Sequence, residues 1–321
     1  MDRPSQYLHA ERILRPEEIE VAVAWLRSGE VVGMPTETVY GLAAAAFNEE
    51  AVAKVFALKK RPADNPLIVH LSTPEEIEAV AIISSPLVAR LTEAFWPGPL
   101  TLVVPRSNAI SDAVTGGGDW VAVRVPAHPI ARALIREVGT PLVAPSANIS
   151  GRPSPTEARH VLADFSGLIP GVIDGGACEL GVESTVVGLA GERPTLLRPG
   201  AINRKEIEEV LGRPLETPSE GDMRASPGTR YRHYAPKASL RFVDSSRGEE
   251  ASSLADLGVP FLLSRTPHRS YPFRPLSRQT LYGQLREADA LGVSVITVVL
   301  DRETLADETL INRLFRAAGM A

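Results

Sequence analysis

Lysine is scarce in this chain: five occur in 321 residues against 29 arginines, and three of the five fall between positions 54 and 60. Cations withheld elsewhere and gathered in one place point to a bound anion. Cysteine is nearly absent. Cys178 stands alone, which excludes an intrachain disulfide and a thiolate metal cluster and fits a packing residue. The six histidines are scattered without a His-x-x-x-His spacing, so no metal cage is legible. No apolar run approaches the roughly 18 residues of a membrane span, and Met1–Gln6 carries no apolar signal core. The expectation is a cytoplasmic chain with no membrane partner. Excess positive charge is missing too: residues 1–208 are net −6 and 209–321 net +1, so neither half is a polyelectrolyte-binding domain.

What is present is enough apolar content, 44%, and enough length to fill two cores. Pro16, followed by Glu17, Glu18 and Glu20 and closed by Gly29, marks a first helix over about 16–28. Asn48 can cap a second, from Glu49 to about Leu58, that delivers Lys59, Lys60 and Arg61 at its C-terminal end. Apolar, largely β-branched runs at 31–34, 67–71, 100–104, 121–125, 142–144, 172–174, 185–189 and 195–197 read as strands, with helices near 74–82, 86–95, 128–138 and 155–164. This predicts an α/β domain over 1–211 with a parallel or mixed twisted open sheet. A Pro- and Gly-punctuated linker follows at 212–238. From 239 to 321, strands at 240–243, 260–263 and 293–300 alternate with helices near 248–257, 278–291 and 303–317. That pattern predicts a small Rossmann-like α/β domain, without a Gly-x-Gly-x-x-Gly loop of its own.

The chemistry concentrates in short segments at strand ends, where open α/β sheets bind ligands. They are Pro35–Leu42, Lys59–Pro62, Asn65–His70, Ser146–Asn148, Ser154–Thr156, Glu183–Val186 and Leu197–Gly200. Taken by residues alone, Lys59-Lys60-Arg61 fits either a solvated helix end or an anion cradle, and Pro62 and Pro66 lock the chain just after it. Ser154 fits a helix N-cap as well as a phosphate contact. His70 on an apolar strand fits a satisfied core residue as well as a ligand. Arg124, before Val125-Pro126, is placed to offer a carboxylate its planar fork.

Together with Ser226–Pro236, these segments closely resemble the threonylcarbamoyl-AMP synthase family in its long, two-domain form. That family activates threonine for the modification of adenosine 37 in tRNAs. The resemblance implies a YrdC-like fold for the first domain and a nucleotidyltransferase that joins L-threonine, bicarbonate or CO2, and ATP with release of pyrophosphate. It implies that Lys59, Arg61, Asn65, Trp120, Ser146, Ser154, Arg198 and Tyr234 serve ATP, with Lys59 and Arg61 near the phosphates as the catalytic pair. Thr38, His70, Arg124, the backbone at Ala144, and Ser184 are implied to hold L-threonine. Mg2+ is implied as the ion carried on ATP, with Glu37 and Glu183 as candidates for contact through water, and no tightly bound organic cofactor. The product is implied to pass to a tRNA threonylcarbamoyl transferase complex, with weak tRNA binding at most.

Three positions depart from the family pattern: Ala43 in place of a glycine, Trp120 in place of a smaller residue, and Thr229 in place of a common methionine. Ala43 matters only where positive φ is required. Trp120 is open between a core role and stacking on the adenine edge. The stretch from Met223 to Ser239 holds four cations and His233 and no carboxylate, and residues 226–236 are read as a lid over the nucleotide. Two rival readings are a carbamoyltransferase-like enzyme of hydrogenase maturation and an RNA-binding module without catalysis; the first needs more cysteines, the second a basic stripe.

Overall fold

The computed structural model describes residues 12–189, 193–219, 234–245, 260–267 and 272–320. The chain divides into two compact units: Met1–Ser150 with Ser154–Tyr231, and Arg232–Ala321 with Gly151–Pro153.

The first unit is built on a ten-stranded mixed sheet. Its strands are β1 (Arg12–Leu14), β2 (Val32–Met34), β3 (Gly41–Ala45), β4 (Ile68–His70), β5 (Leu100–Pro105), β6 (Trp120–Arg124), β7 (Leu142–Val143), β8 (Gly171–Ile173), β9 (Thr185–Gly188) and β10 (Thr195–Arg198). Their order is β1-β8-β2-β3-β7-β4-β6-β5-β9-β10. Parallel pairs join β1 to β8, β8 to β2, β4 to β6 and β5 to β9, while the other neighbours run antiparallel.

Successive strand residues face opposite sides, and the core splits accordingly. Leu42, Ala44, Val69, Leu102, Val123 and Val143 enter the larger apolar cluster with α2 (Glu49–Lys59), α3 (Pro86–Phe95), α6 (Ala158–Phe165) and α7 (Arg204–Leu211). Met34, Ala43, Leu142 and Ile173 face the other way, against α1 (Ile19–Arg27) and α5 (Pro129–Val138). Toward the β10 edge that second side carries a cluster of five buried residues: Ile68, Val103, Ala122, Val186 and Leu197. The same period of two puts His70, Thr101, Arg124 and Ser184 in register with those residues, so strand geometry alone gathers the polar candidates on one face.

Several elements differ from the sequence expectation. Pro74–Ala79 closes as 3-10 turns rather than an α-helix. A short α4 (Asp112–Thr115), α7, β1 and β3 are additional. β3 reads Gly-Leu-Ala-Ala-Ala, poor in intrinsic strand preference. Its small residues are fully buried, pressed between helices on both faces. Ala43 is an ordinary strand residue there and is not among the described residues with positive φ. The Asn48 cap is present, its Oδ1 accepting from Ala51 N at 3.0 Å.

The second unit carries a four-stranded, all-parallel sheet of β11 (Ser239–Asp244), β12 (Leu262–Ser264), β13 (Phe273–Pro275) and β14 (Val295–Leu300), in the order β11-β14-β12-β13. β13, unexpected from sequence, ends in Pro275, which an edge position tolerates. Helices α8 (Leu281–Ala290), α9 (Arg302–Ala306) and α10 (Glu308–Ala318) accompany it. The single helix expected over 303–317 is broken at Asp307, whose carboxylate caps α10 by accepting from Leu310 N at 2.9 Å. The helix expected near 248–257 and most of the expected lid lie outside the described residues. No described helix is long and apolar enough to cross a membrane.

Candidate active site

Arg124 ends β6 and is hydrogen-bonded on three sides. Its Nε donates to Gly98 O at 3.1 Å, Nη1 to Thr38 Oγ1 at 2.9 Å, and Nη2 to Glu37 Oε1 at 2.5 Å. Both members of this ion pair are buried, with side chains 4% and 6% exposed. The chain of hydroxyls behind it has a fixed sense. Thr36 Oγ1 donates to Val39 O at 2.6 Å, so the 2.8 Å contact between Thr38 and Thr36 is donated by Thr38, which in turn accepts from Arg124. Burial pushes the Glu37 carboxyl up, but the Arg124 guanidinium beside it and the nearby Ala127 amide more than reverse this, and the net displacement is downward.

His70 sits in register with Arg124 on the neighbouring strand. Burial, then the Arg124 cation, push its imidazole down to about 3, so the ring is neutral and its Nδ1 donates to Ile68 O at 3.1 Å, leaving Nε2 as an acceptor. The linkage has a definite sign. An unfolded histidine titrates near 6.5, so between that value and about 3 the unfolded chain binds the extra proton and stability falls as pH falls. Urea midpoints of the wild type are expected to drop across this window more steeply than those of His70→Gln; parallel curves would show that the ring is not held neutral.

Ser184, just before β9, links two groups of candidates. Its Oγ lies 2.7 Å from Thr101 Oγ1 and accepts from Arg198 Nη2 at 3.2 Å, while its carbonyl accepts from Arg198 Nε and Nη2 at 3.3 and 2.9 Å. The preceding Glu183 takes the Ser154 hydroxyl at 2.6 Å. Ser154 is therefore not the N-cap of α6, which begins at Ala158 after Glu157; its hydroxyl goes to a carboxylate instead.

Lys59 is 1% exposed. Its ammonium donates to the carbonyls of Ser146 and Asn148, the latter at 2.6 Å, and Ser150 N returns a bond to Lys59 O at 2.9 Å. Lys60 takes the left-handed conformation, φ 51°, that ends α2. The chain then turns so that Arg61 donates to Asn65 O at 3.0 Å and to Asn65 Oδ1 and Pro66 O at 2.7 Å each. The cation run thus braces two loops. The loop held by Lys59, with its flanking residues, meets the Pro35–Leu42 segment through Ala147 N to Tyr40 O (2.8 Å), Leu42 N to Pro145 O (2.7 Å) and Tyr40 N to Pro155 O (2.9 Å).

The remaining candidates are placed as follows. Ala144 N donates to Ile68 O at 3.1 Å, at the opposite end of β4 from His70. Trp120 is half-buried and packs on the cluster of Ile68, Val103, Ala122, Val186 and Leu197. Tyr234 belongs to the second unit, at φ 66°, with its ring stacked on Tyr282 at 5.3 Å and the Arg313 guanidinium 5.1 Å from its centroid. Sequence reading missed Gly98 and Thr101. Their signal was the proline-locked run Trp96-Pro97-Gly98-Pro99, which presents the Gly98 carbonyl to Arg124. It also missed that Glu37 pairs with Arg124. No group of three or more His, Cys, Asp or Glu that could hold a metal ion occurs among the described residues.

The arrangement supplies a fixed guanidinium, a neutral imidazole and paired hydroxyls on one sheet face, with two braced loops alongside. Such a site can orient a small zwitterion beside an anion. Comparison with known proteins places the chain in a family. The Sua5_yciO_yrdC family model, described as Telomere recombination, matches residues 24–200, and the model Threonylcarbamoyl-AMP synthase, C-terminal domain, matches 202–319. A threonylcarbamoyl-AMP synthase of Pyrococcus abyssi (strain GE5 / Orsay) is 41% identical over 320 residues, 94% of each chain. That of Bacillus subtilis (strain 168) is 48% identical over 234 residues, 71% of this chain and 67% of the relative. The crystal structure of P. abyssi Sua5 complexed with L-threonine superposes with a TM-score of 0.87 at 39% identity, covering 97% of this chain and 98% of that one. With both of its units matched by the family models and its length spanned by such relatives, this chain belongs to the threonylcarbamoyl-AMP synthase family.

Proposed function

We infer that the protein synthesises L-threonylcarbamoyladenylate from L-threonine, bicarbonate or CO2, and MgATP, releasing pyrophosphate and, from bicarbonate, water. The observation that carries this is the near full-length likeness, both units included, to a synthase whose structure holds L-threonine. It favours this reading over a carbamoyltransferase or an RNA-binding module. In the proposed reaction the threonine ammonium first gives up a proton to solvent, the free amine captures CO2 with loss of a second proton to solvent, and a carbamate oxygen then attacks the α-phosphorus in line as pyrophosphate leaves. No covalent enzyme intermediate is required; positioning and charge neutralisation supply the catalysis.

Arg124, Thr38, His70, Ser184 and the Ala144 backbone orient threonine in this scheme. Ser146, Ser154, Asn65, Trp120 and Arg198 serve ATP, and Lys59 and Arg61 neutralise its phosphates. Since Lys59 and Arg61 already brace loop carbonyls, they would share or exchange those bonds when nucleotide binds. Magnesium arrives on the ATP phosphates. A tRNA threonylcarbamoyl transferase complex would consume the product, for N6-threonylcarbamoyladenosine at tRNA position 37. Mass spectrometry of a reaction containing ATP, bicarbonate and threonine is expected to show the threonylcarbamoyl-AMP adduct, lost on omission of any one reactant. Pyrophosphate release independent of threonine and bicarbonate would overturn the reading.

A further inference from the structure

The ion pair of Glu37 and Arg124 is only half used. Glu37 is 5% exposed, and a carboxylate buried so deeply ordinarily has both oxygens satisfied. Its Oε1 takes Arg124 Nη2, and the amides of Ala127 and of Glu37 itself act on the carboxylate, yet Oε2 is buried with no donor within hydrogen-bonding distance. Arg124 is similarly incomplete: of five guanidinium N–H groups, one goes to Gly98 O, one to Thr38 and one to Glu37, which leaves two. One buried pair therefore offers an unmet acceptor and unmet donors side by side.

A role confined to aiming Arg124 does not account for this. Gly98 O and Thr38 Oγ1 already hold the guanidinium at two other points, and aiming uses one carboxylate oxygen. The titratable groups around Glu37 are neutral or cationic. His70 and His128 are both shifted down by burial, Cys178 is pushed up to about 12 by burial, and Arg124 is the cation. Glu157 also acts on Cys178, but the carboxylate paired with Arg124 is Glu37. An α-amino acid is the complement of such a pair, with a carboxylate for the guanidinium and an ammonium for the free carboxylate oxygen.

We propose that Glu37 Oε2, buried and unpartnered beside the Arg124 guanidinium, receives the α-amino group of the amino-acid substrate. This deepens the proposed function and rests on it, since it presumes that threonine occupies this face of the sheet. It assigns Glu37 a direct substrate contact in place of the water-mediated ion contact expected from sequence.

The test compares two ligands by calorimetry on the intact protein: L-threonine and (R)-3-hydroxybutyrate, which is threonine without its amino group. Wild-type protein is expected to prefer threonine by on the order of tenfold or more, the size of a hydrogen bond between charged groups. In Glu37→Gln that preference should largely vanish, while (R)-3-hydroxybutyrate binding stays close to wild type. Glu37→Asp, which keeps the charge for Arg124 but withdraws the carboxylate by one methylene, should also lose the preference and serves if the glutamine variant does not fold. Equal weakening of both ligands in these variants would overturn the proposal, because Glu37 would then act only through Arg124. Equal affinity of the two ligands for the wild type would overturn it as well. A wild-type protein that bound the two ligands equally yet formed the adduct would leave the functional reading standing; one that bound no threonine would remove both.

Discussion

Gly200→Ala is expected to cost about 1–3 kcal/mol of stability, the usual price of overpacking a rigid site, and to lower synthesis by more than that loss explains. A Cβ at position 200 would lie 2.4 Å from Ser184 C and Thr185 N, and 2.5 Å from Ser184 O. These are backbone atoms at the entry to β9, so no side-chain rotation relieves the contact. Gly200 is not among the described glycines with positive φ, and the clash is one of close approach rather than backbone strain. The displaced atoms belong to the candidate site. Ser184 O accepts from two nitrogens of Arg198, Ser184 Oγ joins Arg198 to Thr101, and Thr185 Oγ1 donates to Ile202 O at 2.6 Å. A shift of even half an ångström there misaligns the candidates for threonine and ATP together. Gly118→Ala is the control, since its Cβ would meet Thr115 O at an ordinary 3.6 Å. Equal urea midpoints and equal turnover for the two variants would remove Gly200 from any role in seating Ser184.

That junction shows where sequence reading succeeded and where it stopped. Ser184 and Arg198 were legible separately, through their segments and positions at strand ends. Their bond was not, because β9 and β10 register with a shift between Leu196 and Arg198, and a register irregularity leaves no mark in a hydrophobic pattern. β4, β5 and β6 were legible as apolar runs, but the register that brings His70, Thr101 and Arg124 to one face was not. β3 was not legible, because Ala43 and Ala44 are strand residues on account of what packs against them rather than their own preference. The cation run stood out in the sequence because the pattern is rare in a lysine-poor chain. Lys59 nevertheless turned out to reach the carbonyls of a loop 87 and 89 residues away in sequence, a partner that only the fold can supply.

Arg124→Lys is the second large effect expected, since the charge survives and the geometry does not. The guanidinium satisfies Gly98 O, Thr38 Oγ1 and Glu37 Oε1 from three different nitrogens held in one plane. An ammonium carries its three donors on a single atom at the end of a shorter reach, so it can stay with Glu37 but cannot also span to Gly98 and Thr38. Leaving the buried Gly98 carbonyl and Thr38 hydroxyl short of a donor costs about 1–3 kcal/mol. The loss extends beyond stability, because Thr38 would lose the contact that orders the relay from Thr38 to Thr36 to Val39 O. The two donors that Arg124 has left over for a substrate carboxylate would go with it. Threonine affinity is therefore expected to fall on the order of tenfold or more, with ATP affinity nearly unchanged, because the hydrogen bonds of Lys59, Arg61 and Arg198 involve neither Arg124 nor Glu37. Calorimetry with each substrate separately reads the split. Threonine affinity equal to wild type in a folded Arg124→Lys protein would return Arg124 to a purely structural role, and a parallel loss of both affinities would show that the two sets of residues respond as one.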